Sequence, residues 1–151
     1  MQNFTIGLSC SFSNCQSYNG GSIFIQNSSF YSQNINVKNC ESINNGGSFY
    51  LQNTEAVFTF PVNNGSRANS MGGIFYISNS NLTLESSSFS ASSSLTGGFV
   101  YSARNSNLVI RNGNFSRSSS NFGSCVYIEN TSTLTIENSN FFTCSAKSKF
   151  F

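Results

Sequence analysis

Aspartate, histidine and tryptophan are absent from the 151 residues, and proline occurs only once. Without histidine or aspartate the chain has no Ser-His-Asp triad, no Cys-His pair, no histidine metal site and no aspartyl dyad. Charge is scarce as well, with seven Lys and Arg, five Glu and a net charge of +2. A charge that small gives little attraction to nucleic acid or to an anionic membrane. We therefore expect no enzyme activity, no cofactor and no metal.

Serine and asparagine dominate instead, with 32 and 23 copies, and such a composition also occurs in disordered chains. Sixteen Phe, six Tyr and many aliphatic residues argue against disorder. The apolar residues form short runs such as SIFI, SFYL, IFYI, NLVI and TLTI, bounded by Asn, Ser and Gly. Alternation with a period of two is typical of β-strands, and no segment has a helical period. The sequence predicts an all-β protein.

A repeat of about 26 residues organises these runs. Glycine pairs recur at intervals of 26, 26, 25 and 26 residues, and an alternating apolar run follows each pair. The third and fifth positions after the first glycine of each pair share one face of a strand, because side chains alternate along a strand. The pairs begin at Gly20, Gly46, Gly72 and Gly97, with Gly123-Ser124 as a degenerate fifth copy. The third position holds Ile23, Phe49, Phe75, Val100 and Val126, and the fifth holds Ile25, Leu51, Ile77, Ser102 and Ile128.

Two more apolar sets follow in each repeat, so that three apolar stations occur per repeat. Three stations predict three strands per turn of a solenoid, whose coils stack at roughly 4.8 Å. We therefore predict one domain over residues 1–151, a single-stranded parallel β-helix of about six coils. The second set is Phe30, Ala56 with Phe58, Leu82 with Leu84, Leu108 with Ile110, and Leu134 with Ile136. The third set is Phe12, Val37, Val62, Phe89, Phe115 and Phe141.

Two features of the bends lead to separate expectations. Asn27, Asn53, Asn79 and Asn130 stand at the same position of their repeats, where a ladder of amides could link successive coils. Pro61 cannot donate a backbone hydrogen bond, so a bulge or an outward loop is expected there.

The repeat motif resembles that of a known family. A Gly-Gly-x-[IFV]-[YF]-[IL] run, followed by F-x-x-C or F-x-x-S as in FSNC, FSAS, FSRS and FFTC, resembles the repeats of the polymorphic outer membrane proteins. Similar repeats occur in surface proteins of ciliates and other protists. The resemblance covers nearly the whole chain, and it implies a right-handed coil and an extracellular or cell-surface location. The positions that match the family's F-x-x-N asparagine are Cys15, Cys40, Gly65, Ser92, Ser118 and Cys144.

Five cysteines allow at most two disulfides. Cys15 and Cys40 share a column in adjacent coils, so their Cα atoms are expected about 5 Å apart, within disulfide range. A stack of buried thiols is the alternative. Cys144 shares that column but lies far along the axis, while Cys10 and Cys125 stand on other faces. No four of these residues converge as a zinc site requires.

Six N-x-S/T sequons occur, about the number that this composition gives by chance. Asn27 and Asn130 lie in predicted bends and are the candidate N-glycosylation sites if the chain enters a secretory pathway. The N-terminal residues lack the pattern of a signal peptide, and no apolar run reaches membrane-spanning length. We therefore expect a mature or excised segment, or a chain that is not secreted.

One aromatic residue recurs between the two inward positions of each alternating run, and it is therefore predicted to face outward. Such a stripe could bind sugar by ring stacking, contact a partner protein, or only stack upon itself. The stripe, which we call the aromatic ladder, consists of Phe24, Tyr50, Tyr76, Tyr101 and Tyr127.

The ends of the predicted solenoid have no recognisable cap, since the chain opens with NFTIGL and closes with SAKSKFF. Uncapped coils are expected to stack on a longer β-helix, on other copies, or within an assembly. The sequence thus favours a non-enzymatic structural or adhesive module that associates with itself or with neighbouring coils into a rod or filament. The alternative is a carbohydrate-binding or pectate-lyase-like β-helix, whose chemistry requires clustered acidic residues.

Overall fold

Short strands wind into six coils in the computed structural model, which describes residues 2–148 and contains no helix in that range. The first coil contains β1 (Gln2–Ile6), β2 (Ser11–Ser13), β3 (Gln16–Ser17) and β4 (Ile23–Gln26). The second contains β5 (Ser28–Gln33), β6 (Asn36–Lys38), β7 (Glu41–Ser42) and β8 (Phe49–Gln52). The third contains β9 (Glu55–Thr59), β10 (Val62–Asn64), β11 (Arg67–Ala68) and β12 (Phe75–Ser78).

The remaining coils repeat this order. The fourth contains β13 (Asn81–Glu85), β14 (Ser88–Ser90) and β15 (Val100–Ala103). The fifth contains β16 (Asn107–Arg111), β17 (Asn114–Ser116), β18 (Ser119–Ser120) and β19 (Val126–Ile128). The sixth contains β20 (Thr133–Glu137), β21 (Asn140–Phe142) and β22 (Ser145–Ala146).

Equivalent strands of successive coils pair in parallel and form four faces of the solenoid. Face A contains β1, β5, β9, β13, β16 and β20, and face B contains β2, β6, β10, β14, β17 and β21. Face D contains β4, β8, β12, β15 and β19. The short face C contains β3, β7 and β11, then a bridge at Ser93, then β18 and β22. The prediction of an all-β parallel β-helix with about six coils is confirmed.

The predicted inward columns of faces A and D form the core. Phe49 and Phe75 pair in register, and Leu82 pairs in register with Leu108; all four side chains are buried. Even Ser102 points inward and is fully buried, as its place in the column predicted. No single coil could bury such a core alone, so the coils stabilise one another through stacked apolar side chains.

Face B and face C differ from the prediction. Asn63, not Val62, occupies the inward column of face B between Val37 and Phe89, while Val62 is exposed. The strands of face C were not predicted at all. They hold two residues each, such as Gln16–Ser17, and so carry no apolar alternation from which a strand could be recognised.

Asn63 is held in the core by a small polar cluster. Its Nδ2 donates a hydrogen bond to Ser48 Oγ at 2.7 Å, and Ser48 Oγ in turn donates to Ser66 Oγ at 2.6 Å. The buried Asn63 Oδ1 has no hydrogen-bond partner among the described residues. Hydrogen bonding to one half of the amide reduces the cost of burying it, but that cost is not removed.

The bends confirm one expectation and correct another. Arg104 stands at the ladder position of the repeat before Asn130, so the predicted amide ladder does not reach that residue. It is confirmed for Asn27, Asn53 and Asn79: Asn53 Nδ2 donates to Asn27 Oδ1 at 2.9 Å, and Asn79 Nδ2 donates to Asn53 Oδ1 at 2.8 Å. These asparagines have φ values of 49° to 54°, a left-handed conformation that asparagine tolerates. The bulge expected at Pro61 is absent, because β9 and β10 keep their register and the Pro61 carbonyl accepts from the Ser88 N–H at 2.9 Å.

Candidate functional site

The aromatic ladder runs along the outside of face D. Its members are the second residues of the five strands of that face, and they pair in register from coil to coil. Because the neighbouring residues of each strand point inward, the ladder position must point outward. Successive ring centroids lie 4.8, 4.8, 5.7 and 5.0 Å apart, and the ring planes are within 15° of parallel.

The spacing of the coils determines what the ladder can contact. Parallel rings about 5 Å apart cover one another's faces, so the ring edges and hydroxyl groups of Tyr50 and Tyr76 point to solvent. A sugar that stacks on an aromatic ring needs an open ring face. Within the ladder, only the outer faces of Phe24 and Tyr127, which are 50% and 37% exposed, meet that condition. Between its two ends, the ladder therefore exposes ring edges and hydroxyl groups and not ring faces.

Tyr101 is the exception in this ladder, because its side chain is only 7% exposed. Its hydroxyl donates a hydrogen bond to Glu129 Oε1 at 2.8 Å, while Glu129 Oε2 accepts from the backbone N–H of Arg104 at 3.1 Å. Burial and the adjacent Glu129 carboxylate raise the pKa of Tyr101 well above the ordinary tyrosine value. Glu129 lies two residues after Tyr127, which brings its side chain to the outside of face D, beside the ladder.

The raised pKa of Tyr101 predicts a loss of stability in alkali. Above pH 10 the unfolded chain releases the Tyr101 proton while the folded chain keeps it. The contribution of Tyr101 to the free energy of unfolding is therefore fully present below pH 10 and is lost as the pH rises further. The loss is expected to reach up to about 1.4 kcal/mol per pH unit. Urea unfolding between pH 8 and pH 11 measures it. The Tyr101→Phe variant is the control, and an equally steep decline in that variant would contradict the assignment.

The predicted Cys15–Cys40 disulfide is not formed, and this expectation is corrected. Cys15 and Cys40 are free thiols, and Cys10 is free as well. The Cys15 thiol donates to the Ser13 carbonyl at 3.6 Å, and the Cys40 thiol donates to the Lys38 carbonyl at 3.5 Å. Burial and the neighbouring Cys40 thiol raise the pKa of Cys15, as expected for thiols stacked in one column.

The disulfide joins Cys125 to Cys144, with Cα atoms 6.1 Å apart. Cys125 lies at the corner that leads into face D, and Cys144 lies at the start of face C one coil later. The Ser48–Ser66 hydrogen bond joins the equivalent two positions in an earlier coil, which shows that these columns meet across the interior. Cys40 lies in the same column as Cys144, but Ser22 occupies the position that corresponds to Cys125. Cys40 therefore has no cysteine across the interior with which to form the equivalent disulfide.

Both candidate glycosylation sites lie in bends on the surface. Asn27 is exposed with a φ of 54°, and Asn130 is exposed in the turn closed by the Ser132 N–H and the Glu129 carbonyl at 2.9 Å. In the amide ladder, Asn27 accepts a hydrogen bond from Asn53 through its Oδ1 atom. The Asn27 Nδ2 atom, to which a glycan would be attached, is not a donor in the ladder. Glycosylation at either residue stays a prediction.

The two terminal coils expose side chains of the core columns. Phe4 is 49% exposed, whereas Phe30, its neighbour in the next coil, is 5% exposed. Leu134 is 39% exposed, whereas Leu108 before it is fully buried. On face B, Phe141 stacks on Phe115 with centroids 4.6 Å apart, and its other face points away from the coil beneath. Each end thus presents an apolar surface with the geometry of a coil-to-coil contact.

Residues 2–148 contain no group of three or more Cys or Glu side chains placed to hold a metal ion. In the same part of the chain, no helix is long and apolar enough to cross a bilayer. Comparison of the chain with protein-family models, with curated proteins and with solved structures gives no significant match.

Proposed function

We propose that this chain is a non-enzymatic structural module of an extracellular or cell-surface assembly, which stacks end to end with neighbouring β-helix coils into a rod or filament. The observation that carries the proposal is the exposure of the core columns at both terminal coils. Leu134 and Phe4 stand in one column of face A, so a following coil that buried Leu134 would repeat the packing already seen within the chain. Exposed apolar surface of this kind favours association.

The side of the rod offers an adhesive contact. The edges and hydroxyl groups of Tyr50 and Tyr76 form an amphipathic stripe, and tyrosine is enriched where proteins bind one another. The carbohydrate alternative has less support, because the stacking that makes the ladder regular also covers the ring faces. We therefore assign the apolar surfaces of the terminal coils to assembly of the rod, and the tyrosine stripe on its side to contact with a partner protein.

Sedimentation velocity over a range of concentrations tests the assembly. The weight-average mass is expected to rise above 16.4 kDa with concentration, and electron microscopy is expected to show rods. Ile136→Lys places a charge on the exposed end of a core column and is expected to hold the chain at its monomer mass. Thr135→Lys is the matched control, because that residue lies on the same strand with its side chain outward.

Circular dichroism of both variants checks that the solenoid is folded. A wild-type chain that stays monodisperse at 16.4 kDa at every concentration would overturn end-to-end stacking. Assembly that Ile136→Lys and Thr135→Lys reduce to the same extent would also overturn it, since the contact would then lie on the side of the rod.

A further inference from the structure

Tyr101 combines a buried phenol with a fixed carboxylate, a pair that neither assembly nor attachment of the rod uses. The Tyr101 side chain is 7% exposed, and its hydroxyl donates to Glu129 Oε1 at 2.8 Å. The carboxylate is itself held in place, because Glu129 Oε2 accepts from the Arg104 N–H at 3.1 Å. Within residues 2–148, no other tyrosine hydroxyl donates to a carboxylate. Tyr101 therefore differs in its chemistry from the other members of the aromatic ladder.

The hydrogen bond gives the phenolic proton of Tyr101 a defined acceptor. A phenol that loses an electron becomes a strong acid, so its oxidation is easiest where a base takes the proton in the same step. The oxygen-to-oxygen distance of 2.8 Å is within the range for direct proton transfer between a side chain and a base. The raised pKa of Tyr101 keeps the phenol protonated at neutral pH, so the proton is present for this transfer.

The neighbouring rings connect the buried Tyr101 to the surface. Tyr76 and Tyr127 stack on its two faces, with ring centroids 5.7 and 5.0 Å away and ring planes within 7° of parallel. Tyr76 is half-buried, and Tyr127 is 37% exposed. Rings that overlap at this distance exchange an electron readily. An oxidant that is too large to touch Tyr101 can therefore take an electron at a neighbouring ring, which Tyr101 then reduces.

We propose that Tyr101 is the site at which the aromatic ladder is oxidised by one electron, with Glu129 as the acceptor of the phenolic proton. The reactant is an outer-sphere one-electron oxidant of high potential, and a ruthenium(III) polypyridyl complex serves as the probe. The complex gains the electron and becomes ruthenium(II). The Tyr101 O–H bond breaks, its proton forms an O–H bond on Glu129 Oε1, and a neutral tyrosyl radical remains. Because the ring is 7% exposed, two such radicals cannot meet and couple.

Exposure alone leads to a different expectation for the site of oxidation. Tyr18 is 65% exposed and Tyr31 is 42% exposed, and both lie outside the ladder. If contact with the oxidant determined where the radical forms, these two residues would carry it. The position of the radical therefore distinguishes a proton-coupled site at Tyr101 from oxidation of whichever tyrosine the complex meets.

Flash generation of tris(bipyridine)ruthenium(III), followed by freeze-quenching and electron paramagnetic resonance, measures the yield of tyrosyl radical. Tyr101→Phe is expected to lower that yield at least about tenfold, because phenylalanine has no phenolic proton to transfer. Tyr31→Phe is the matched control, because it removes a more exposed tyrosine outside the ladder and is expected to leave the yield unchanged. An unchanged yield in Tyr101→Phe would overturn the proposal.

Glu129→Gln tests the proton acceptor separately from the hydrogen bond. The amide has nearly the same size and still bonds to the Tyr101 hydroxyl, but it does not accept a proton at neutral pH. Formation of the radical, followed by transient absorption, is expected to be at least about tenfold slower in this variant. Glu137→Gln removes the same charge on face A, where Glu137 pairs with Arg111 at 2.7 Å, and is expected to leave the rate unchanged. Equal rates in both variants and the wild type would show that the Glu129 hydrogen bond is only structural, and would overturn the proposal.

The outcomes are independent of the proposed function, because neither Tyr101 nor Glu129 lies in the exposed core columns of the terminal coils. Circular dichroism checks that each variant is folded. A chain that forms the radical at Tyr101 but stays monomeric at all concentrations supports the oxidation site and overturns end-to-end stacking. A chain that assembles but carries its radical on Tyr18 or Tyr31 overturns the oxidation site and leaves stacking standing.

Discussion

Replacing Phe75 by alanine is expected to lower the free energy of unfolding by about 4 kcal/mol. Phe75 lies at the centre of the core, stacked on Phe49 with ring centroids 4.6 Å apart. It also meets Phe58 edge to face at 5.1 Å and Phe89 at 5.9 Å. Truncation removes contacts in the second, third and fourth coils at once, and the backbone ladders on all faces prevent the coils from collapsing into the space.

Urea unfolding followed by circular dichroism measures this loss, which is a large fraction of the roughly 5–15 kcal/mol typical of a domain. Phe122→Ala is the matched control, because it makes the same change at a side chain that is 46% exposed. Its cost is expected to stay below about 1 kcal/mol. Equal costs for the two variants would contradict the conclusion that the phenylalanines form the tightly packed centre of the solenoid.

The core of faces A and D could be predicted from the sequence because a stacked coil repeats its constraints at a fixed interval. Phe49, Phe75 and Val100 occupy the same inward place in successive coils, so the pattern of one repeat is tested against the others. That redundancy even placed Ser102 correctly in the core, although serine alone gives no reason to be buried. A non-repeating chain offers no such comparison.

The error at Val62 shows the limit of this reasoning. Apolarity favoured Val62 as the inward residue, but the register with Val37 and Phe89 buries Asn63. A slip of one residue reverses every side chain along a strand. The same slip assigned Gly65, instead of the buried Ser66, to the column that holds Cys40. The hydrogen bond from Asn63 to Ser48 offsets part of the cost of burying the amide. It joins residues 15 apart in the sequence, so the 26-residue period does not predict it.

Contacts across the interior of a coil could not be predicted from the period. The period states which residues stack along the axis, and it therefore suggested Cys15 and Cys40. The contact between Cys125 and Cys144 depends instead on the shape of the solenoid in cross-section. The two-residue strands of face C contribute to that shape, and they were not predicted. The hydrogen bond from Tyr101 to Glu129 on the outside of face D could not be predicted from the period either, because it depends on the turn that follows β19.

Replacing Gly47 by alanine is expected to destabilise the solenoid by about 3 kcal/mol or more, enough to prevent folding of a marginal chain. A Cβ atom at Gly47 would collide with the Gly73 carbonyl oxygen of the next coil and with the backbone of Arg67. Side-chain rotation cannot relieve a clash with backbone. Separating the coils would relieve it, but the Gly47 N–H donates to the Gly72 carbonyl at 2.9 Å, and that bond would be lost.

Gly7→Ala is the matched control, because a Cβ atom at Gly7 would have no neighbour within 4 Å. Its effect on the free energy of unfolding is expected to stay within about 0.5 kcal/mol. Soluble yield and urea unfolding of the two variants measure the difference. If Gly47→Ala folded with unchanged stability, the spacing of the coils at this corner would be adjustable. The glycine pairs would then mark a permissive bend, and the close approach of successive coils would not explain why they recur every 25 or 26 residues.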